Sequence, residues 1–481
     1  MHWLLICHLT IVFLFMLRIA LREDLRPDAR MAWFMTLLLT PALGCILYFL
    51  FGSARMARKV RHYHHQVLEN TKRQFIQALG TNFLGSKRVL IETLPNHYQS
   101  AFQYLASINH LYPVTGNCAE LMADGKVARK RLLQDIEAAK EQVNVLYYIW
   151  LNDETGQSVA QALIRAAKRG VSCRAVVDGL GSRAFLKTEL WQELQAAGVQ
   201  TAVALPINHW WTIFQRRIDL RNHRKITLID GKIVYCGSQN CADEAFVVKA
   251  KYAPWVDIML RLEGPIVTQT QLLFAADWQL ASGEAELAIP TKAAEHLSSG
   301  FTAQVMGDGP TARSRSTAEF LSTLISTSQE TIIISTPYFV PDATVLDALC
   351  AAAWRGVEVT LIVPKRNDSW IVSAVSRSHY RRLLEAGIKL YEFRDGLLHA
   401  KTLTIDEKIT FIGSTNLDLR SFDLNYENNV LLSDEKVTQA VLERQLYYRS
   451  RSDLVELKAV LAWSVPRKIW NNLLATISPI L

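Results

Sequence analysis

The sequence predicts an α/β protein made of two similar halves, preceded by a pair of apolar helices. Three observations carry this. First, the stretch NHRKITLIDGKIVYCGSQN (222–240) returns as LHAKTLTIDEKITFIGSTN (398–416). His223, Lys225 and Asp230 thus answer to His399, Lys401 and Asp406, and Gly237, Ser238 and Asn240 to Gly413, Ser414 and Asn416. Second, ahead of each copy an apolar strand-like run is followed by a helical pattern ending Arg-Gly-Val (169–171 and 355–357) and by another strand-like run, CRAVVD or VTLIVP. Strand, helix and strand make a parallel crossover unit with a largely buried sheet. Third, the chain starts with two apolar runs, Trp3 to Met16 continuing to Leu21, and Met31 to Phe51.

Each apolar run could form a helix of about 30 Å, the thickness of a bilayer's hydrocarbon core. The first lacks the basic start and small-residue cleavage site of a secretory leader, and the second follows closely. Residues 1–54 are therefore predicted to be a transmembrane helical hairpin with both termini on one side. Arg18, Arg22, Arg26 and Arg30 between the runs balance Arg55, Arg58, Lys59 and Arg61 after them, so loop charge does not assign the sides. Of the seven cysteines, Cys7 and Cys45 fall in the hairpin, and Cys118, Cys173, Cys236, Cys241 and Cys350 lack metal-ligand spacing. They read as buried thiols of a reducing compartment. The catalytic domain is expected on the cytoplasmic face, although the sequence leaves the face open.

Residues 55–115 read as a juxtamembrane segment and linker, with His62, His64 and His65 solvated rather than metal-binding. A chain of 481 residues, half of them apolar, exceeds one ordinary core. The two α/β domains are expected over 116–290 and 291–481, with the joint in the Gly-, Pro- and Ser-rich stretch between Ser282 and Pro310. Near the end, Ile469, Trp470, Leu473, Leu474 and Ile477 share one helical face that fits either the bilayer surface or the catalytic core, with packing on the core expected. Trp210 and Trp211 fit either a membrane interface or the core.

In KITLID and KTLTID the alternation predicts a strand, and His and Lys two apart on a strand project from one face. A second strand, KIVYCG or KITFIG, returns after a tight turn and brings the asparagine beside them. An imidazole can attack phosphorus or donate a proton, while an ammonium and an amide can hold phosphate oxygens. A lone His-x-Lys is usually an ordinary exposed pair, but a duplicated, equally spaced set implies one composite phosphodiester site. Asp230 and Asp406 complete the repeated catalytic set, although a carboxylate that opens a turn also reads as a turn former. A net charge of +8 favours an anionic partner, either a membrane surface or a nucleic acid.

The duplicated motif resembles that of the phospholipase D superfamily. The blocks YYIWLNDETG, RRIDLRNHRK, WVDIMLRLEGP, STPYFVPD, SRSHYRRLLEAG and GSTNLDLRSFDLNYENN, with the N-terminal hairpin, resemble the bacterial cardiolipin synthases over essentially the whole chain. The resemblance implies two halves packed about a pseudo-two-fold axis, an active site at their interface, and no metal or organic cofactor. It also implies that a carboxylate downstream of each motif orients that motif's histidine: Glu427 for His399 and, at a longer spacing, Asp257 for His223. The implied reaction moves a phosphatidyl group from one phosphatidylglycerol to another, giving cardiolipin and glycerol at a bacterial inner membrane. His223 would form a phosphatidyl-histidine, His399 would serve the leaving and incoming oxygens, and Lys225, Lys401, Asn240 and Asn416 would clamp the phosphate. The implied partners are phosphatidylglycerol, other anionic lipids and the bilayer, with no nucleic acid and no oligomeric state specified. Rival readings are another membrane phosphatidyltransferase or hydrolase, a basic nuclease, and a catalytically dead lipid-binding scaffold. The apolar hairpin opposes the nuclease, and the intact motifs oppose the scaffold.

Overall fold

In this computed structural model the described residues are 2–23, 25, 27–52, 58–122, 124–207, 219–284, 289–290 and 292–477. Among them one 16-stranded sheet runs through both halves. Its centre is the antiparallel pair Val114–Leu121 and Phe301–Asp308. Outward on one side lie Met259–Glu263, Ile233–Gly237, Lys225–Ile229, Gln142–Tyr147, Ser172–Asp178 and Gln200–Ala204. Outward on the other lie Asn425–Ser433, Ile409–Gly413, Thr402–Ile405, Thr331–Ser335, Glu358–Pro364 and Lys389–Phe393, with Ser452–Leu454 added at the edge. The two series match strand for strand, so the duplication in sequence becomes a pseudo-two-fold relation in space. Each half places three parallel strands beside an antiparallel hairpin.

Local chemistry explains the crossover units. Gln142–Tyr147 is buried along its whole length, as expected of a strand covered on both faces. The helix Glu154–Lys168 starts where Asp153 accepts the Gly156 N–H, and buries Val159, Ala160, Leu163 and Ala166 at helical spacing. Its counterpart Ala343–Trp354 is capped by Asp342, which accepts the Thr344 N–H. Both helices stop at the glycine of Arg-Gly-Val, Gly170 at φ 89° and Gly356 at φ 94°. An added Cβ would meet nothing within 4 Å at either position, so the left-handed backbone alone selects glycine.

Asp230 and Asp406 sit at the hairpin turns, both in the left-handed region. The Asp230 carboxylate accepts N–H groups from Lys140, Glu141 and Gln142 at 2.9, 2.8 and 3.0 Å. That of Asp406 accepts those of Gln329, Glu330 and Thr331 at 2.9, 2.8 and 2.9 Å, and the Tyr98 hydroxyl at 2.9 Å. Each carboxylate pins the turn to the start of the first parallel strand of its half, at the opposite end of the motif strand from the histidine.

The N-terminal segment departs from expectation. The first apolar run makes one helix, His2–Ala20, but the second makes two, Pro27–Leu39 and Pro41–Phe51. Pro41 has no N–H to donate, and Thr40 before it leaves helical geometry at φ −136°, ψ 68°. The three helices meet around Ile19, Trp33, Leu37 and Tyr48, with Trp33 and Tyr48 ring centroids 5.1 Å apart. Among the described residues no helix is long and apolar enough to cross a membrane.

Residues 58–109 contribute the helices Arg58–Leu79, Lys87–Thr93 and Asn96–Asn109. Phe75 packs with Phe83 and Leu272, while Tyr98, Phe102 and Leu105 enter the core of the second half. His62 and His65 are exposed as expected, but His64 is half-buried: its ring stacks on Tyr426 with centroids 5.9 Å apart and shares a 3.1 Å hydrogen bond with the Tyr426 hydroxyl. The last helix, Val465–Ile477, buries Asn471 and Leu474, the latter against Ala374 and Val375 of Trp370–Ser378. It leaves Ile469, Trp470 and Leu473 exposed, so the predicted apolar face is only partly used by the core. Trp210 and Trp211 lie outside the described residues.

Replacing Asp406 by Ala strands three backbone N–H groups and a buried tyrosine hydroxyl, at a cost on the order of 3 kcal/mol. Thermal unfolding of Asp406→Ala is expected at a clearly lower temperature, with turnover per folded molecule retained. Lost turnover at unchanged stability would contradict this.

Candidate functional site

The two motif strands end together where the halves meet, close enough that the charge of Lys401 acts on His223 and that of Lys225 on His399, and the segment leading into each motif crosses to the opposite half. Arg221–Asn222 pairs in parallel with Asn425–Tyr426, and the His223 N–H donates to the Tyr426 carbonyl at 2.9 Å. Reciprocally, Leu397–Leu398 pairs in parallel with Trp255–Val256, and the His399 N–H donates to the Val256 carbonyl at 2.8 Å. Arg221 secures the first crossing through a buried 3.2 Å ion pair with Asp178, whose other oxygen accepts the Asn222 N–H at 2.9 Å.

This crossing exchanges the carboxylates. The family resemblance implies Glu427 with His399 and Asp257 with His223. The structure pairs His223 Nδ1 with Glu427 Oε2 at 3.0 Å, and His399 Nδ1 with Asp257 Oδ1 at 2.6 Å. The residue after Tyr426 is Glu427 and the residue after Val256 is Asp257. The backbone pairing therefore delivers each carboxylate to the other half's histidine.

The remaining predicted residues are distributed as follows. Lys225 Nζ donates to the His223 carbonyl at 2.5 Å and Lys401 Nζ to the His399 carbonyl at 2.6 Å, both lysines being buried. Asn240 accepts the Ile149 N–H at 3.3 Å. Asn416 donates to Ser421 Oγ at 3.1 Å and keeps a buried Oδ1 without a hydrogen-bond partner. A half-turn of that amide would present its two donors instead. Asp230 and Asp406, held at the turns, contribute no contact to the histidines. Among the described residues no group of three or more His, Cys, Asp or Glu side chains is arranged to hold a metal ion.

Sequence reasoning assigned no role to Ser238 and Ser414, although both lie in the repeated Gly-Ser-x-Asn. Ser238 Oγ donates to Asp257 Oδ1 at 2.6 Å and accepts the Ile258 N–H at 3.0 Å. Ser414 Oγ donates to Glu427 Oε2 and accepts the Asn428 N–H at 2.9 Å. Each serine fixes the carboxylate that orients the other half's histidine. The repeat was the signal that could have found them. Tyr148 and Trp255 were also unassigned, and their rings pack on His223 and His399 at centroid distances of 4.7 and 4.6 Å.

Burial dominates the electrostatics. It pushes both imidazoles down to about 4, with the adjacent lysines pushing the same way and the carboxylates opposing. Burial would raise Asp257, but the His399 ring, Lys401 and Ser238 hold it at about 2. Glu427 is likewise held below the usual range, burial opposed by His223, Lys225 and Ser414. Each pair is thus a neutral imidazole against an ionised carboxylate. Nδ1–H then donates to the carboxylate, leaving Nε2 as a free base or nucleophile. Burial also lowers Lys225 to about 8 and Lys401 to about 7, despite the carboxylates nearby. The cleft can hold an anion between two ammoniums and offer it a nucleophile from one half and a proton carrier from the other.

Comparison with known proteins shows the family to which the chain belongs. The family described as "Cardiolipin synthase, PLD-like domain" matches residues 132–278 and 321–445, and "Phospholipase_D-nuclease N-terminal" matches 9–53. Cardiolipin synthase A of Proteus mirabilis (strain HI4320) is 34% identical over 461 residues, 95% of this chain and 92% of that protein. Cardiolipin synthase A of Yersinia pestis is 33% identical over 477 residues, covering 98% and 94%. Among solved structures, phosphatidylserine synthase of Haemophilus influenzae Rd KW20 shares the fold with a TM-score of 0.58 at 17% identity, over 80% of this chain and 98% of that one.

Anion affinity should follow the lysines. A lysine of depressed pKa is fully charged below that value and loses its charge as pH rises through it, so binding weakens from about 7 to about 8. Titration with tungstate, whose own charge is constant there, is expected to show that decline. An affinity unchanged up to about pH 9, well past both lysines, would contradict it.

Proposed function

The chain belongs to the cardiolipin synthase family of the phospholipase D superfamily, and we propose that its crossed histidine pairs transfer a phosphatidyl group between two phosphatidylglycerol molecules. It is a phospholipid phosphatidyltransferase. The observation that carries the mechanism is the exchange of carboxylates, which engages Nδ1 of each histidine with a carboxylate of the opposite half and leaves Nε2 for chemistry.

The first lipid's phosphate sits between Lys225 and Lys401, with the amides of Asn240 and Asn416 beside it. His223 Nε2 attacks phosphorus and the bond to the glycerol oxygen breaks. His399 gives its Nε2 proton to that oxygen, so glycerol leaves neutral. His399 is neutral in the empty cleft, and the negative charge of the bound phosphodiester favours the protonated ring. The product is a phosphatidyl group on His223 and a neutral His399. The hydroxyl of the second phosphatidylglycerol then attacks phosphorus, His399 takes its proton, and the bond to His223 breaks, releasing cardiolipin. One phosphodiester replaces another, so no nucleotide is consumed.

The catalytic domains span 116–290 and 291–481 in this reading, and the apolar N-terminal helices anchor them on the cytoplasmic side of a bacterial inner membrane. Support for the anchor is the exposure of Leu9, Phe13, Leu17, Leu38 and Leu39 on those helices. Phosphatidylglycerol and the anionic bilayer are the partners.

With labelled phosphatidylglycerol, the purified chain is expected to yield cardiolipin and glycerol; phosphatidic acid without cardiolipin would make it a hydrolase. His223→Ala and His399→Ala should each lower turnover by about a thousandfold or more, since nucleophile and acid act as a unit. Mass spectrometry after a neutral quench should place the phosphatidyl adduct on the peptide holding His223; an adduct on His399 would reverse the roles.

A further inference from the structure

The rim of the cleft carries apolar side chains that the core does not use. Trp370 and Trp470 are 62% and 49% exposed, and their rings stack with centroids 5.7 Å apart. Ile469 and Leu473 are exposed beside Trp470 on the last helix, and Val247 and Val248 are exposed on the turn before Trp255. So many large apolar groups in one region of a rim mark a contact surface rather than scattered exposure.

These segments lie at the end of the sheet that carries the motif histidines. Trp370 follows the parallel strand Glu358–Pro364, at the end of the sheet where Ser335 of the neighbouring strand pairs with Thr402, next to Lys401. Val247 follows Phe246, which stacks on Trp255 at 3.9 Å, and Trp255 packs on His399. An ion pair between Lys249 and Asp368 joins the turn to the residues just before Trp370, and the Tyr338 hydroxyl donates to the same Asp368 at 2.8 Å. The rim is therefore built from both halves.

Charge selects the occupant. Lys249, Lys251, Arg366 and Arg467 are exposed among these apolar groups, and the one carboxylate of the three segments, Asp368, is buried in its ion pair. Tryptophan with aliphatic side chains and a basic surround is the composition that settles at the interface of an anionic bilayer. The rim is also continuous with the apolar N-terminal helices. A crevice of about 890 Å³ has Met31, Met35 and Leu39 on one wall and Leu473 on the other.

We propose that the Trp370–Trp470 pair, with Val247, Val248, Ile469 and Leu473, seats the cleft mouth in the interfacial layer of an anionic membrane, so that lipid enters the site without crossing water. This rests on the phosphatidyl-transfer reading and adds a second membrane contact, distinct from the N-terminal helices, that aims the cleft at the bilayer.

The test uses the full chain with Trp370→Ala and Trp470→Ala combined, and the corresponding Phe pair as the conservative variant. Transfer is measured on phosphatidylglycerol in vesicles and on short-chain phosphatidylglycerol dissolved below its micellar limit. The Ala pair is expected to lose roughly tenfold on vesicles and less than about twofold on dissolved lipid, with the Phe pair largely restoring vesicle turnover. Equal losses on both substrates, or no loss on vesicles, would overturn the proposal. Absence of transfer by the unmodified chain on either substrate would overturn the phosphatidyl-transfer reading on which it rests.

Discussion

Two short parallel pairings hold the site together. Arg221–Asn222 against Asn425–Tyr426, and Leu397–Leu398 against Trp255–Val256, are only two residues long each, yet they set which carboxylate faces which histidine. Neither half on its own contains an oriented imidazole. Sheet pairing at the centre brings the halves together, but these crossings convert proximity into a defined geometry. A register slip of one residue would turn the carboxylate to the other face of its strand. The buried Arg221–Asp178 pair and the Arg224 contacts oppose such a slip.

The crossings also make a costly set of buried charges tolerable. Two lysines and two carboxylates are removed from water at a shared cleft, and such burial stabilises only where each charge keeps a partner. The carboxylates are held by serine hydroxyls and imidazole N–H groups, so they remain ionised. Among the described residues the lysine ammoniums have only backbone carbonyls as hydrogen-bond partners, and their pKa values fall to about 8 and 7. A phosphodiester placed between them supplies the missing negative charge. Anion binding and the depressed lysine pKa values are thus two sides of one arrangement.

What the sequence disclosed follows from what repeats along it. The strand–helix–strand order, the glycine that ends each crossover helix and the strand that carries each His-x-Lys were legible, because local patterning and duplication carry them. The exchange of Glu427 and Asp257 was not, since the resemblance implied a carboxylate downstream in the same half and position along a chain says nothing of a crossing. Asp230 and Asp406 repeat as faithfully as the histidines, so repetition alone did not separate a turn clamp from a catalytic group. The second apolar run read as one helix because its hydropathy is continuous, whereas Pro41 divides it through a missing N–H that a hydropathy sum does not register. His64 read as solvated because its partner, Tyr426, lies in a distant part of the chain.

The two copies are not equivalent, and their difference bears on the division of labour. Between His223 and Lys225 stands Arg224, which points to the rear of its strand. Its guanidinium donates to the Glu427 carbonyl at 3.0 Å, to Asp277 at 2.6 Å and to the Asp308 carbonyl at 3.1 Å. Between His399 and Lys401 stands Ala400, which makes no polar side-chain contact at all. The His223–Glu427 pair is consequently braced from behind by a buried cation that spans both halves, while the His399–Asp257 pair relies on its crossing and on Ser238. A nucleophile must meet phosphorus along a narrow line, and small misplacements cost it heavily, whereas a proton carrier acts first on a departing and then on an arriving oxygen. The stiffer support falls on the histidine assigned to attack, and the softer on the one that must serve both oxygens in turn.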